Sequence, residues 1–240
     1  MGKYNDVQKT GYNKYIFTIG NGSKSSDTSN NNGGNVIQDN RSNAFAVSTY
    51  GDVYSFKSKT TGADYAEMFE WTDGNPLQQD RIGYLVSLDK QKITFCSSTT
   101  TPLGIVSGTA SVVGDSAGLN WKDKYITDNF GRIIYEEAED IIEVPDPETG
   151  EIKQISNGFS MHPKINPNYN PDEGYIPRDA RPEWATVGLL GKIHTRDDGT
   201  CIPGGYGKPA DGGILTHSDE PTQFYIMERI AEDVVLVFLK

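Results

Sequence analysis

Thr61-Gly62-Ala63-Asp64-Tyr65-Ala66-Glu67-Met68-Phe69-Glu70-Trp71 divides the chain into two unlike parts. Residues 1–63 carry seven Lys/Arg against four Asp/Glu, a balance of about +3. Residues 64–240 carry the remaining 15 against 29, about −14, within an overall charge of −11. A sign change at one junction argues for two units with different work. The acidic excess also argues against a nucleic-acid surface on the larger unit.

The junction carries two carboxylates three residues apart, Asp64 and Glu67. On a strand they would diverge to opposite faces. On a helical turn they would be neighbours. Gly62 as a strand breaker, Asp64 as an N-cap and Ala66, Glu67 and Met68 as helix formers predict the turn, in the acidic form of a capping box. Two carboxylates so placed tend to share a proton, which fits one as base on a water and the other as acid. The plain alternative is a helix N-cap with an acidic first turn.

Outward from the junction the chain reads as β-rich. Upstream, Tyr12, Tyr15, Phe17 and Ile19 suggest one strand, residues 21–36 are polar and of low complexity, and Asn43–Val47 and Val53–Phe56 form a hairpin or one coil of a solenoid. So few apolar residues cannot stabilise a small unit alone, so support is expected from neighbouring chains or from an upstream stalk. Downstream, Ile82–Leu88 and Lys92–Cys96 read as paired strands, Leu103–Gly108 and Ala110–Gly114 as a second pair, Ala185–Ile193 as a strong strand, and Phe224–Met227 with Val234–Leu239 as the last two. Short helices are expected only near 64–71 and at 116–130. Residues 156–183, rich in Pro, Asn and Gly, read as a long extended arm wrapped over a neighbouring subunit. The expected fold is therefore mainly β: a short β coil at 1–63, then a globular domain at 64–240, assembled as an intertwined trimer.

Other chemistries fit poorly. Gly204-Gly205-Tyr206-Gly207-Lys208 lacks the spacing of a phosphate loop, and Pro209 follows the lysine. His162, His194 and His217 are scattered, and Cys96 and Cys201 make no metal framework, so neither metal nor cofactor is expected. Glu136-Glu137-Ala138-Glu139-Asp140 reads as a solvated face. No GxSxG elbow occurs. No run of about 18 apolar residues spans a membrane, and residues 1–3 lead into polar sequence with no secretory signal.

The motifs GADYAEMFEW, DGNP, DRIGYLVSLD, LGIVSG, YITDNFGRIIYEE, RPEWATVGLLGKI, RDDGT and GGYGKP, in this order over residues 60–240, resemble one family. It is the autoproteolytic intramolecular-chaperone domain at the C-terminus of phage tailspike and appendage proteins, peptidase family G-two. RSNAFAVSTYGDVYS resembles the head-like coil that precedes this domain in trimeric phage fibres. The resemblance implies a homotrimer whose C-terminal domain templates a β-helical stalk of the same chain in the bacterial cytoplasm. The domain then cuts itself away, leaving the fibre for the virion tail. It implies Asp64 and Glu67 as the catalytic pair and Ala63–Asp64 as the bond cut. Two alternatives stand beside it: a trimeric fibre-tip or receptor-binding domain that does not cleave, and an N→O acyl shift using Thr60 or Thr61.

Overall fold

The structure, a computed structural model, describes residues 15–20, 43–48, 52–55, 57–117, 124–145 and 150–240. The chain divides into two compact units, Met1–Thr61 and Gly62–Lys240. In the first, β1 (Tyr15–Gly20), β2 (Asn43–Ser48) and β3 (Val53–Ser55) form an antiparallel sheet in that order. Tyr12, Phe56 and the polar stretch 21–36 lie outside the described residues.

The second unit is built on a ten-stranded sheet and a separate two-stranded ribbon. The sheet begins with β4 (Asp64–Glu70), β5 (Leu85–Asp89), β6 (Lys92–Phe95), β7 (Gly104–Val106) and β8 (Val112–Gly114). The ribbon is β9 (Tyr135–Pro145) with β10 (Ile152–Pro163). The sheet resumes with β11 (Trp184–Arg196), β12 (Tyr206–Pro209), β13 (Leu215–Ser218), β14 (Phe224–Ala231) and β15 (Val234–Leu239).

The main path of the sheet runs β13-β12-β14-β15-β11-β7-β5-β6. Strands β5 and β7 are buried on both faces at Leu85–Ser87 and Gly104–Val106, so adjacent residues enter different cores. Leu85 and Ile105 pack with Ile193, Phe224 and Val237, whereas their neighbours Val86 and Val106 pack with Trp71, Ile93 and Val187. Such strands read as continuous apolar runs rather than alternating ones. Each fully buried Ile, Val or Phe stabilises the fold by about 1.5–3 kcal/mol relative to exposure.

The long strand β11 organises the rest. Over Trp184–Gly191 it pairs antiparallel with β4, and over Gly191–Arg196 with β15. Gly191 is in register with both Asp64 and Leu239, so β4 and β15 both meet β11 at this one residue. Leu189 is bulged out between Gly188 and Leu190. A bulge bends a strand and raises its local twist, here two residues before Gly191.

Several expectations are corrected. Residues 64–70 are a strand, not a helical turn, because β11 and β8 supply hydrogen-bonded neighbours on both sides. No α-helix occurs among the described residues, and none covers the described parts of 116–130, of which 118–123 lie outside. Among the described residues the one helical turn is the 3-10 segment Arg178–Ala180. The arm expected at 156–183 is regular as far as Pro163, being the return strand of the ribbon. Strand β8 pairs parallel with β4 rather than with β7, which instead lies between β5 and β11.

Candidate active site at the Ala63–Asp64 junction

Strand β4 alternates strictly at its start: Asp64, Ala66 and Met68 are buried, Tyr65 and Glu67 exposed. Asp64 and Glu67 therefore lie on opposite faces of one strand, separated by about 10 Å of chain. The proton-sharing pair expected from a helical spacing is not formed within this strand.

Asp64 is wholly shielded from solvent, and neither carboxyl oxygen has a hydrogen-bond partner among the described residues. Its side chain lies over the backbone of Gly188. A Cβ at Gly188 would stand 2.9 Å from Asp64 Oδ2 and 2.5 Å from Ile193 Cδ1. Only a residue without a side chain leaves this space for the carboxyl. A buried polar group without a partner costs about 1–3 kcal/mol, and more when it is charged, so its retention points to a use other than stability.

The backbone around Asp64 is clamped. Ser111 donates both its N–H and its Oγ–H to the Asp64 carbonyl, each at 2.9 Å. Upstream, Gly62 passes so close to the 109–111 segment that a Cβ would lie 2.6 Å from the Thr109 carbonyl oxygen. Glu67 faces solvent over the β4–β8 pairing, opposite Gly114. The far end of β4 is tied by Lys92 Nζ to Glu70 at 2.6 Å. Just beyond, the Arg81 guanidinium lies 4.4 Å from the centre of the buried Trp71 ring and bonds Asp73 through two nitrogens at 2.8 and 2.7 Å.

The other candidates do not assemble into sites. Ser160, His162 and Asp140 meet on the ribbon, but both contacts use the same imidazole nitrogen, His162 Nε2, at 3.1 and 2.8 Å. A hydrolytic triad needs one ring nitrogen for the serine and the other for the carboxylate. His194 and His217 are elsewhere, and no cluster of three or more His, Cys, Asp or Glu suited to a metal exists among the described residues. The acidic run at 136–140 lies on β9, where Lys164 pairs with Glu136 and His162 bonds Asp140. Tyr206–Pro209 is a sheet strand with no helix after it, unlike a phosphate loop. Both cysteines are free and buried, and burial, aided by the charge of Asp197, pushes the Cys201 thiol up to about 12, which disqualifies it as a nucleophile at neutral pH. Among the described residues no helix is long and apolar enough to cross a membrane.

The layout is that of a sheet domain whose first residues are gripped in extended form, with an unpartnered acid beside the boundary peptide. The family model described as "Peptidase_G2, IMC autoproteolytic cleavage domain" matches residues 12–233, and the chain belongs to that family. The pre-neck appendage protein of Bacillus phage B103 is 38% identical over 168 residues, covering 68% of this chain and 17% of that protein. The putative phage-related protein YobO of Bacillus subtilis (strain 168) is 34% identical over 158 residues, covering 65% of this chain and 18% of that protein. The crystal structure of the pre-mature bacteriophage phi29 gene product 12 aligns at 30% identity and a TM-score of 0.64, over 82% of this chain and 24% of that one. Its C-terminal fragment aligns at 34% identity and 0.54, over 74% of this chain and all of the fragment. The chain thus spans 17% of the B103 protein it matches, and similar shares of the others.

Proposed function

We propose that this domain is the trimerising, folding-assisting end of a phage or prophage appendage, and that it releases itself by hydrolysing Ala63–Asp64. The observation that carries the reading is the wholly buried, unpartnered Asp64 carboxyl at the start of a clamped strand. Family membership supplies the class of reaction, autoproteolysis.

The opposite placement of Asp64 and Glu67 divides the work between them. In a strand, carbonyl and N–H groups point sideways to neighbouring strands, so the two faces of a carbonyl carbon look toward the two faces of the sheet. Water has access on the outer face, where Glu67 lies. A Glu67 carboxylate takes a proton from that water as its oxygen bonds to the Ala63 carbonyl carbon. From the inner face, Asp64 passes a proton to its own backbone nitrogen as the C–N bond breaks. Substrate and catalyst belong to one assembly, so positioning alone is worth an effective molarity of about 10⁵ M or more. Three residues of strand are too long for a glutamate side chain to bridge. The Glu67 that serves a given bond therefore comes from a neighbouring protomer, which delays the cut until the trimer has formed.

The two-stranded ribbon favours assembly. Ile152, Phe159 and Met161 are each at least 60% exposed in the single chain, and an isolated hairpin is marginal in water. A length of 17% of the B103 protein leaves room upstream for a stalk as the folding client. Names of relatives as pre-neck appendage proteins support a place on the virion.

Time-resolved intact-mass spectrometry on purified protein tests the proposal. Without added protease, a basic fragment ending at Ala63 and an acidic one starting at Asp64 should accumulate. Asp64→Asn and Glu67→Gln should each abolish the cut without loss of the trimer. A trimer that stays intact between about pH 4 and 8, where carboxyl pairs work, makes this a non-cleaving fibre tip. Unchanged cleavage in Glu67→Gln moves attention to Thr60 and Thr61.

A further inference from the structure

We propose that the backbone N–H of Lys192 is the oxyanion donor for the cut, and that Gly191 is the residue that places it there. This rests on the self-cleavage reading above and names a catalytic group that the two carboxylates do not supply.

The Lys192 N–H donates to the Ala63 carbonyl oxygen at 3.4 Å. That oxygen belongs to the bond proposed to break. The contact closes the β11–β4 ladder: Gly191 pairs with Asp64, which brings the next N–H of β11 to the carbonyl just before Asp64. Gly191 makes it possible. Its φ is 117°, a backbone conformation side chains rarely adopt. A Cβ there would lie 2.4 Å from the Ala63 oxygen, 3.3 Å from the Ala63 carbonyl carbon and 2.9 Å from Asp64 Cα. Strand β11 therefore presses bare backbone against the peptide to be cut, at the residue that β4 and β15 both meet.

The two carbonyls flanking Asp64 are held differently. The Asp64 carbonyl accepts two bonds of 2.9 Å from Ser111, which fix the strand. The Ala63 carbonyl receives one long contact, well beyond the usual 2.9–3.0 Å. An oxyanion donor should sit at 2.7–3.1 Å from where the charged oxygen will be, not from the ground-state carbonyl. A donor slack in the ground state that tightens as charge develops lowers the barrier rather than merely binding the substrate.

The step balances without oxidant or reductant. Water oxygen bonds to the Ala63 carbonyl carbon and gives its proton to a carboxylate. The carbonyl π pair moves onto oxygen, where the Lys192 N–H meets it. As the carbonyl re-forms, the C–N bond breaks and the nitrogen takes a proton from Asp64. The products are an Ala63 carboxyl group and an Asp64 amine. The lysine side chain takes no part.

The test replaces Lys192 with its α-hydroxy counterpart, so that an ester oxygen stands in place of the N–H with the side chain unchanged. The single-turnover rate should fall about 100-fold or more, the usual cost of losing one such donor, with trimer and circular dichroism retained. Gly199→Ala serves as control: Gly199 also has positive φ, 85°, but lies beyond the far end of β11, and it should leave the rate unchanged. An ester protein that cuts at the wild-type rate overturns the inference and leaves self-cleavage standing. Wild-type protein that never cuts, or cuts at another bond, overturns both. Should the ester protein fail to fold, hydrogen exchange at Lys192 decides on unmodified chain. Its amide should be protected before the cut and exchange faster afterwards, when its acceptor has gone; equal protection in both states overturns the proposal.

Discussion

At position 64 a carboxyl group is taken out of water and given nothing to bond to, while across the ladder in β11 Gly191 is kept bare beside Ala63. Neither feature helps the fold, and both converge on one peptide bond. Other charged residues nearby are treated in the opposite way. Two hydrogen bonds from Arg81 hold the Asp73 carboxyl at about 2, against an ordinary 3.8. A depressed carboxylate contributes stability that is complete above its unfolded pKa and lost as pH falls through the folded one. The loss here therefore lies between 3.8 and about 2. Asp73 is more than half exposed, so after screening the contribution is about 1 kcal/mol. Melting temperatures of wild type and Asp73→Asn should differ near neutral pH and converge as pH falls toward 2. A gap of constant size across that range would mean that the ion pair does not anchor this turn.

Among the elements, those with strong apolar content were legible and those defined by their partners were not. Ala185–Ile193 and Val234–Leu239 announce themselves because both faces or one whole face must be filled by Val, Ile and Leu. Strand β4 misleads because its inward positions hold Asp64, Ala66 and Met68 while aromatic Tyr65 faces out, so the period of two is hidden. The remaining signal is a local capping pattern, and sheet partners from distant sequence override it. The candidate residues were legible as types, through acid spacing and family motifs, but their geometry was not. Gly188, Gly191 and Ser111 act through close approach of backbone, which only the register of β11 and β8 reveals. In the ribbon, strands were hidden by the Pro- and Asn-rich sequence that follows. Its exposed apolar residues give a direct test of assembly. Ile152→Lys with Phe159→Lys removes no buried contact within the chain, since both are about two-thirds exposed. Sedimentation should show a shift from trimer toward monomer while near-UV circular dichroism of the sheet domain persists. A variant that remains fully trimeric would take the ribbon out of the interface.

For the whole molecule, the separation of Asp64 and Glu67 along one strand yields a prediction that single mutants cannot make. If each bond is served by its own chain, a Glu67→Gln chain is uncuttable in any company. If Glu67 arrives from a neighbour, that chain keeps its own Asp64 and can borrow the missing carboxylate. Co-assembly of Asp64→Asn chains with Glu67→Gln chains should therefore restore cleavage in mixed trimers, although each homotrimer is inert. Only the Glu67→Gln chains should be cut, because the Asp64→Asn chains lack the inner proton donor. The two C-terminal fragments have equal mass, so tandem sequencing of the new N-terminus, aspartate at 64 with glutamine at 67 rather than asparagine at 64 with glutamate at 67, identifies the chain that was cut. The yield should follow the fraction of trimers with the right neighbour, and dilution after assembly should not slow it. Mixed trimers that stay uncut would place Glu67 in service to its own strand. Its carboxylate would then have to act through bound water across about 10 Å of chain, and the requirement for a trimer would rest on the ribbon alone.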